Sequence, residues 1–177
     1  MSYIPVGQIN RTNTKETMKD YFDTNEQQDL QLMYEFNYQT KLFQSIKPTE
    51  PKSQVDAIAT KGKREFAIEL KHRYINLEKY KSIMIEDYKL AGMMLEYAIN
   101  KREPLYVNFL ADGTVVIFNL IKLSTMPKMR ITDIKSEGYN KMQCQERRYL
   151  LDIKDAVIYK DNLLIKNIGE CKTTDYS

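Results

Sequence analysis

Residues 53–71 constrain this chain more than any other stretch. In Arg64-Glu65-Phe66-Ala67-Ile68-Glu69-Leu70-Lys71 the residues alternate, so Phe66, Ile68 and Leu70 share one face of a strand and Glu65, Ala67, Glu69 and Lys71 share the other. The preceding Ser53-Gln54-Val55-Asp56-Ala57-Ile58-Ala59-Thr60 also reads as a strand, and Lys61-Gly62-Lys63-Arg64 reads as a tight turn. With Gly62-Lys63 as a two-residue loop, Lys61 pairs with Arg64, and the same register carries Asp56 to a position opposite Glu69.

Cross-strand partners hold their Cβ atoms about 4.5–5.5 Å apart, and like charges so placed repel unless something compensates. Two converging carboxylates with an ammonium two residues along suit a hard divalent cation. Magnesium takes oxygen ligands and keeps several waters beside one or two carboxylates and substrate phosphates. Lys71 would then orient a water or stabilise charge on a phosphate. The plainer alternative is a solvated strand face in which Asp56 and Lys71 form a surface ion pair contributing about 0–1 kcal/mol.

Asp56 followed by Glu69-Leu70-Lys71 on the next strand resembles the PD-(D/E)XK nuclease superfamily, with Val55 where the superfamily's name has Pro. The stretch from Ile85-Glu86-Asp87-Tyr88-Lys89-Leu90 to Leu105-Tyr106-Val107-Asn108-Phe109 looks like phage-type members. The resemblance covers about residues 26–120; its specific part is Asp56, Glu69 and Lys71. It implies an α/β (α+β) chain with a restriction-endonuclease-like αβββαβ core, a mixed central sheet flanked by helices. It also implies a magnesium- or manganese-dependent deoxyribonuclease that uses a metal-activated water. Asp56, Glu69 and the main-chain carbonyl of Leu70 would hold the metal, and Lys71 would position the water. The first helix would add an acid, Glu26 or alternatively Glu35, and Lys89 would face the metal. Glu26 near a helix N-terminus is equally explained by the helix dipole, and Lys89 by an exposed helix face. The alternative function is a catalytically inactive nuclease-fold module that binds nucleic acid or a protein.

Net charge is only +3, so a nucleic-acid partner requires clustered cations. Lys61, Lys63, Arg64, His72 and Arg73 surround the motif and are the candidate DNA contacts, with His72 alternatively structural. As the only histidine, His72 excludes a His-rich metal site. Cys144 and Cys171 lack metal-ligand spacing and read as free thiols. No run of about 18 apolar residues and no charged-then-apolar leader is visible, so neither membrane nor secretion is expected, and the expected location is cytoplasmic. The oligomeric state is open, a homodimer included. No GxxxxGK, GxSxG or GxGxxG motif points to competing chemistry.

The 177 residues fit one domain, with 42% hydrophobic content supporting a core. The expected organisation is a polar arm over 1–23, a nuclease core over 24–125, and a strand-rich appendage over 126–177 packed on the same domain. A helix is expected from a capping box at Thr24 to about Phe36, then a strand over 38–46. A second helix is expected over 79–100, with Leu90, Met94 and Ala98 inward and Gly92 marking close packing. Residues 104–110 and 114–120 flank Ala111-Asp112-Gly113 as a hairpin, and a polar loop is expected over 127–147.

Overall fold

The architecture follows from a computed structural model that describes residues 15–50, 53–135 and 143–166, with backbone alone for 15–26, 133–135, 143–144 and 166. Helix α1 (Lys15–Thr40) precedes strands β1 (Ser45–Pro48), β2 (Ala57–Lys61) and β3 (Arg64–Arg73). Strand β4 (Ser82–Glu86) leads into helix α2 (Asp87–Asn100), followed by β5 (Glu103–Leu110) and β6 (Thr114–Asn119). The chain continues through β7 (Lys128–Lys135), β8 (Gln143–Asp152), β9 (Ala156–Lys160) and β10 (Leu163–Lys166).

Seven strands form a central sheet in the order β1-β2-β3-β5-β6-β9-β10. Only β3 and β5 run parallel, so the sheet is mixed, as the resemblance implies. The parallel pair requires a crossover, which β4 and α2 supply. A second antiparallel sheet, β4-β8-β7, packs beside α2.

Both faces of the central sheet are covered. Met33 and Phe36 of α1 pack with Phe66, Ile68 and Leu70 on one face; Met93 of α2 and Ile83, Ile85 and Leu151 of the second sheet pack with Ala67, Tyr106 and Phe118 on the other. Each Ile or Phe so buried contributes about 1.5–3 kcal/mol. The hairpin register is the expected one as far as Ala57: Lys61 pairs with Arg64 and Ala57 with Ile68, and Gly62 takes φ 62 in the turn, but residues 53–56 are not strand and Asp56 does not pair with Glu69 as expected. The 111–113 hairpin also forms, with Gly113 at φ 78.

Three segments differ from expectation. Helix α1 begins at Lys15 and absorbs residues 38–40; it stops where Lys41 turns left-handed (φ 52) and Asn37 Oδ1 accepts the Phe43 N–H at 2.7 Å. Residues 82–86 are a strand, not the first turns of α2, because Ile83 and Ile85 alternate inward against β8. Helix α2 consequently buries Gly92 and Met93, and leaves Met94, Leu95 and Ala98 exposed. The expected polar loop over 127–147 contains β7 and the start of β8, paired to each other. Cys171 lies outside the described residues, as does the side chain of Cys144. Among the described residues no helix is long and apolar enough to cross a membrane.

Candidate active site

The site forms where β2 ends and β3 continues. The β2–β3 ladder runs only to Ala57 opposite Ile68, and Asp56 then slips by one position: its N–H donates to the Ile68 carbonyl at 2.9 Å. Its Oδ2 accepts the Leu70 N–H at 2.7 Å, replacing the missing strand partner. Thr49 braces the turn, donating its N–H to the Asp56 carbonyl at 3.0 Å and its hydroxyl to the Val55 carbonyl. A strand residue presents N–H and C=O to the same side, so the Leu70 carbonyl opens toward Asp56 beyond the end of β2.

Glu69 points to the opposite face from Leu70 and is 4% exposed. Its Oε1 lies 2.6 Å from Lys89 Nζ, while its Oε2 is buried without a hydrogen-bond partner. Gly92 packs α2 against the segment before Asp56: a Cβ there would meet Gln54 Oε1 at 2.5 Å and Gln54 Cβ at 3.2 Å, so a larger residue would have to displace the Gln54 side chain. Lys89 lies one helical turn earlier on the same side and comes down on Glu69.

Burial, followed by the charge of Asp56, pushes the Glu69 carboxyl up to about 7, outweighing the opposite pull of Lys89 and Lys71. Burial also raises Asp56, against the Leu70 N–H, Lys89 and Lys71. Burial would lower Lys89, but Glu69 and Asp56 raise it overall, so its ammonium persists. Lys71 is exposed two residues beyond Glu69 on the same face.

Among the described side chains, the first-helix acid that reaches this cluster is Asp29. Burial raises its carboxyl, and it feels the charges of His72, Asp56 and Lys71, with the His72 N–H in hydrogen-bonding reach. Glu35 is exposed and accepts a hydrogen bond from Gln31 at 2.9 Å; the side chain of Glu26 lies outside the described residues. Asp29 carries a signal that sequence reading overlooked: it sits four and seven residues before the buried Met33 and Phe36, an acid on the inward stripe of α1.

The expected DNA contacts divide between the two ends of β3. Lys61, Lys63 and Arg64 surround the distal turn, roughly 17 Å along the strand from Glu69. Arg64 is bidentate to Glu103, with both contacts at 2.6 Å. His72 stacks on Tyr74, ring centroids 4.9 Å apart. Arg73 turns inward and donates to Asn108 Oδ1 (2.7 Å), the Tyr106 hydroxyl (2.6 Å) and the Met84 carbonyl.

Among the described residues no three His, Cys, Asp or Glu side chains group closely enough to hold a metal. The available donors are two carboxylates and one main-chain carbonyl. This all-oxygen set, with the orphaned Glu69 Oε2, fits magnesium or manganese, which complete their shells with water, and does not fit zinc.

No family model and no curated protein matches the chain. Among solved structures the chain is similar to a Holliday junction resolvase of the archaeal hyperthermophile Archaeoglobus fulgidus. The two share 15% identity at a TM-score of 0.46, over 73% of this chain and 82% of that one.

Proposed function

We propose that this protein is a magnesium- or manganese-dependent deoxyribonuclease. The carrying observation is Glu69, a buried carboxylate beside Asp56 with one oxygen left without a partner. Such an arrangement is costly for folding alone, because an unsatisfied buried charge loses its hydration without return. Asp56, Glu69 and the Leu70 carbonyl would hold a cation, and its charge would offset that cost. When bound, the metal supplies positive charge that polarises a phosphate and acidifies water.

The chain's own groups do the rest. The Leu70 N–H fixes the Asp56 carboxylate, and Asp29 braces the end of β3 through His72. Lys71, exposed beside them, holds the attacking water or neutralises charge on the scissile phosphate. Lys89 holds Glu69 Oε1 in place and pulls its carboxyl down against burial and the charge of Asp56.

The Lys89–Glu69 contact favours a second reading, in which the lysine permanently replaces the metal and the fold only binds nucleic acid or a protein. Incubating wild type and Lys71→Ala with supercoiled plasmid, linear duplex, single strands and a four-way junction separates the two. Cleavage with magnesium or manganese, stopped by EDTA and lost in Lys71→Ala, is the expected result. No cleavage of any substrate, with no calorimetric signal for manganese, establishes the second reading.

A further inference from the structure

We propose that α2 is the contact between two copies of this chain, packed antiparallel across a two-fold axis near Met94 and Leu95. The inference is independent of the nuclease reading. Along α2 and its C-cap, Asp87, Ala91, Met94, Ala98 and Lys101 follow one another at intervals of four, three, four and three residues, so they line one side of the helix. Leu95 and Ile99 widen that side. It lies opposite the side that buries Met93 and brings Lys89 onto Glu69. Among the described residues nothing packs on it: Ala91 and Ala98 are exposed, and Met94, Leu95 and Ile99 are 36%, 52% and 67% exposed. The outward side of a helix on a monomer is normally charged, and an apolar run here, unlike a single exposed apolar residue, calls for a partner. The charged side chains between the two ends are engaged elsewhere, Lys89 with Glu69 and Glu96 with Arg102 and Asn100.

The charges at the ends of this seam select the occupant. Asp87, in the first turn, puts a carboxylate at one end. At the other end Lys101 turns left-handed (φ 58) and its Nζ donates to the Ala98 carbonyl at 3.0 Å, which holds the ammonium on the seam. A second α2 laid antiparallel sets Asp87 of each copy near Lys101 of the other and opposes the helix dipoles, whereas a parallel copy sets like charges together. The same two-fold sets Ala91 against Ala98 of the other copy, which lets the helices approach at the short end of the usual spacing of about 8–10 Å. Each half of the seam thus complements the other half, as an isologous dimer requires. The 14 residues of α2 span about 21 Å, and a helix of that length covers less than the roughly 800 Å² per partner of a standard interface. The dimer is accordingly weak, with an expected Kd on the order of 10 µM.

Sedimentation velocity on the full chain, from about 1 to about 200 µM, should show a monomer–dimer equilibrium. Leu95→Glu should weaken the dimer about tenfold or more while keeping the wild-type melting temperature of the monomer, because Leu95 touches nothing that holds the single copy together. Cysteine cross-linking, in a background carrying Cys144→Ser and Cys171→Ser, reads the geometry. A mixture of Ala91→Cys and Ala98→Cys chains should form a disulfide dimer on mild oxidation. Either variant alone should not, because seven residues of helix set its two copies' thiols about 10 Å apart. A monomer at about 200 µM, a dimer unaffected by Leu95→Glu, or cross-linking of Ala91→Cys alone as efficient as that of the mixture would overturn the proposal. A monomer whose melting temperature falls in Leu95→Glu would overturn it in favour of a segment of the same chain lying on α2.

Discussion

At the scale of single residues, Glu69 sets the behaviour of the site. Its carboxyl is raised from 4.5 to about 7, so between those values the folded chain holds a proton that the unfolded chain releases. Stability from this group is therefore fully present below about pH 4.5 and is lost as pH rises toward 7. The loss is on the order of 1–3 kcal/mol. In metal-free buffer, Glu69→Gln should melt above wild type at pH 8 and close to it at pH 4.5, with magnesium closing the gap at pH 8. Parallel melting profiles across that range would contradict the burial argument. Lys89→Met removes the partner instead of the burden. It should destabilise by about 1–3 kcal/mol at pH 8, and chemical denaturation at pH 5, where Glu69 takes up a proton, should show most of that recovered. The shared face of Glu69 and Lys71 was legible because a period of two suffices for it; Asp56 was brought near by the turn length, but its final place is set by the Leu70 N–H and by Thr49, outside the hairpin register. Asp29 was not legible, since its approach to His72 depends on how α1 crosses the sheet.

Among the elements, β4 is the one whose identity changes the architecture. Ser82-Ile83-Met84-Ile85-Glu86 alternates, but its apolar residues also continue the helical stripe of α2, and the strand assignment requires β8, some 65 residues later, as its partner. Arg73 then ties β4 to the central sheet through the Met84 carbonyl while serving Tyr106 and Asn108 of β5. Arg73→Ala leaves those groups buried without their donor and should cost about 2–4 kcal/mol in urea denaturation. Arg73→Lys should recover only part of it, because one ammonium cannot reproduce the fork. A loss below about 0.5 kcal/mol would show that the second sheet docks by apolar packing alone. The same inward turn explains why a cation beside the motif in sequence is not a surface charge in space.

For the whole molecule, two apolar layers on either side of one sheet predict unequal local stability. Strands β3, β5 and β6 lie at the centre with both faces covered, whereas β7 is the edge of the smaller sheet with Met129, Arg130 and Ile131 exposed. Native-state hydrogen exchange should therefore show β7 amides opening well below the free energy at which β3 and β5 amides exchange. Uniform protection would mean that both sheets unfold as one unit. The sequence alone determined the β2–β3 hairpin, its register as far as Ala57, the 111–113 turn and the shared face of Glu69 and Lys71, all products of alternation and turn chemistry within about 20 residues. Tertiary structure alone decided which helix acid reaches the site, that Lys89 closes on Glu69, that Arg73 faces inward, and that β4 and β8 pair. Those outcomes depend on contacts between segments far apart in the chain, which local propensity does not encode.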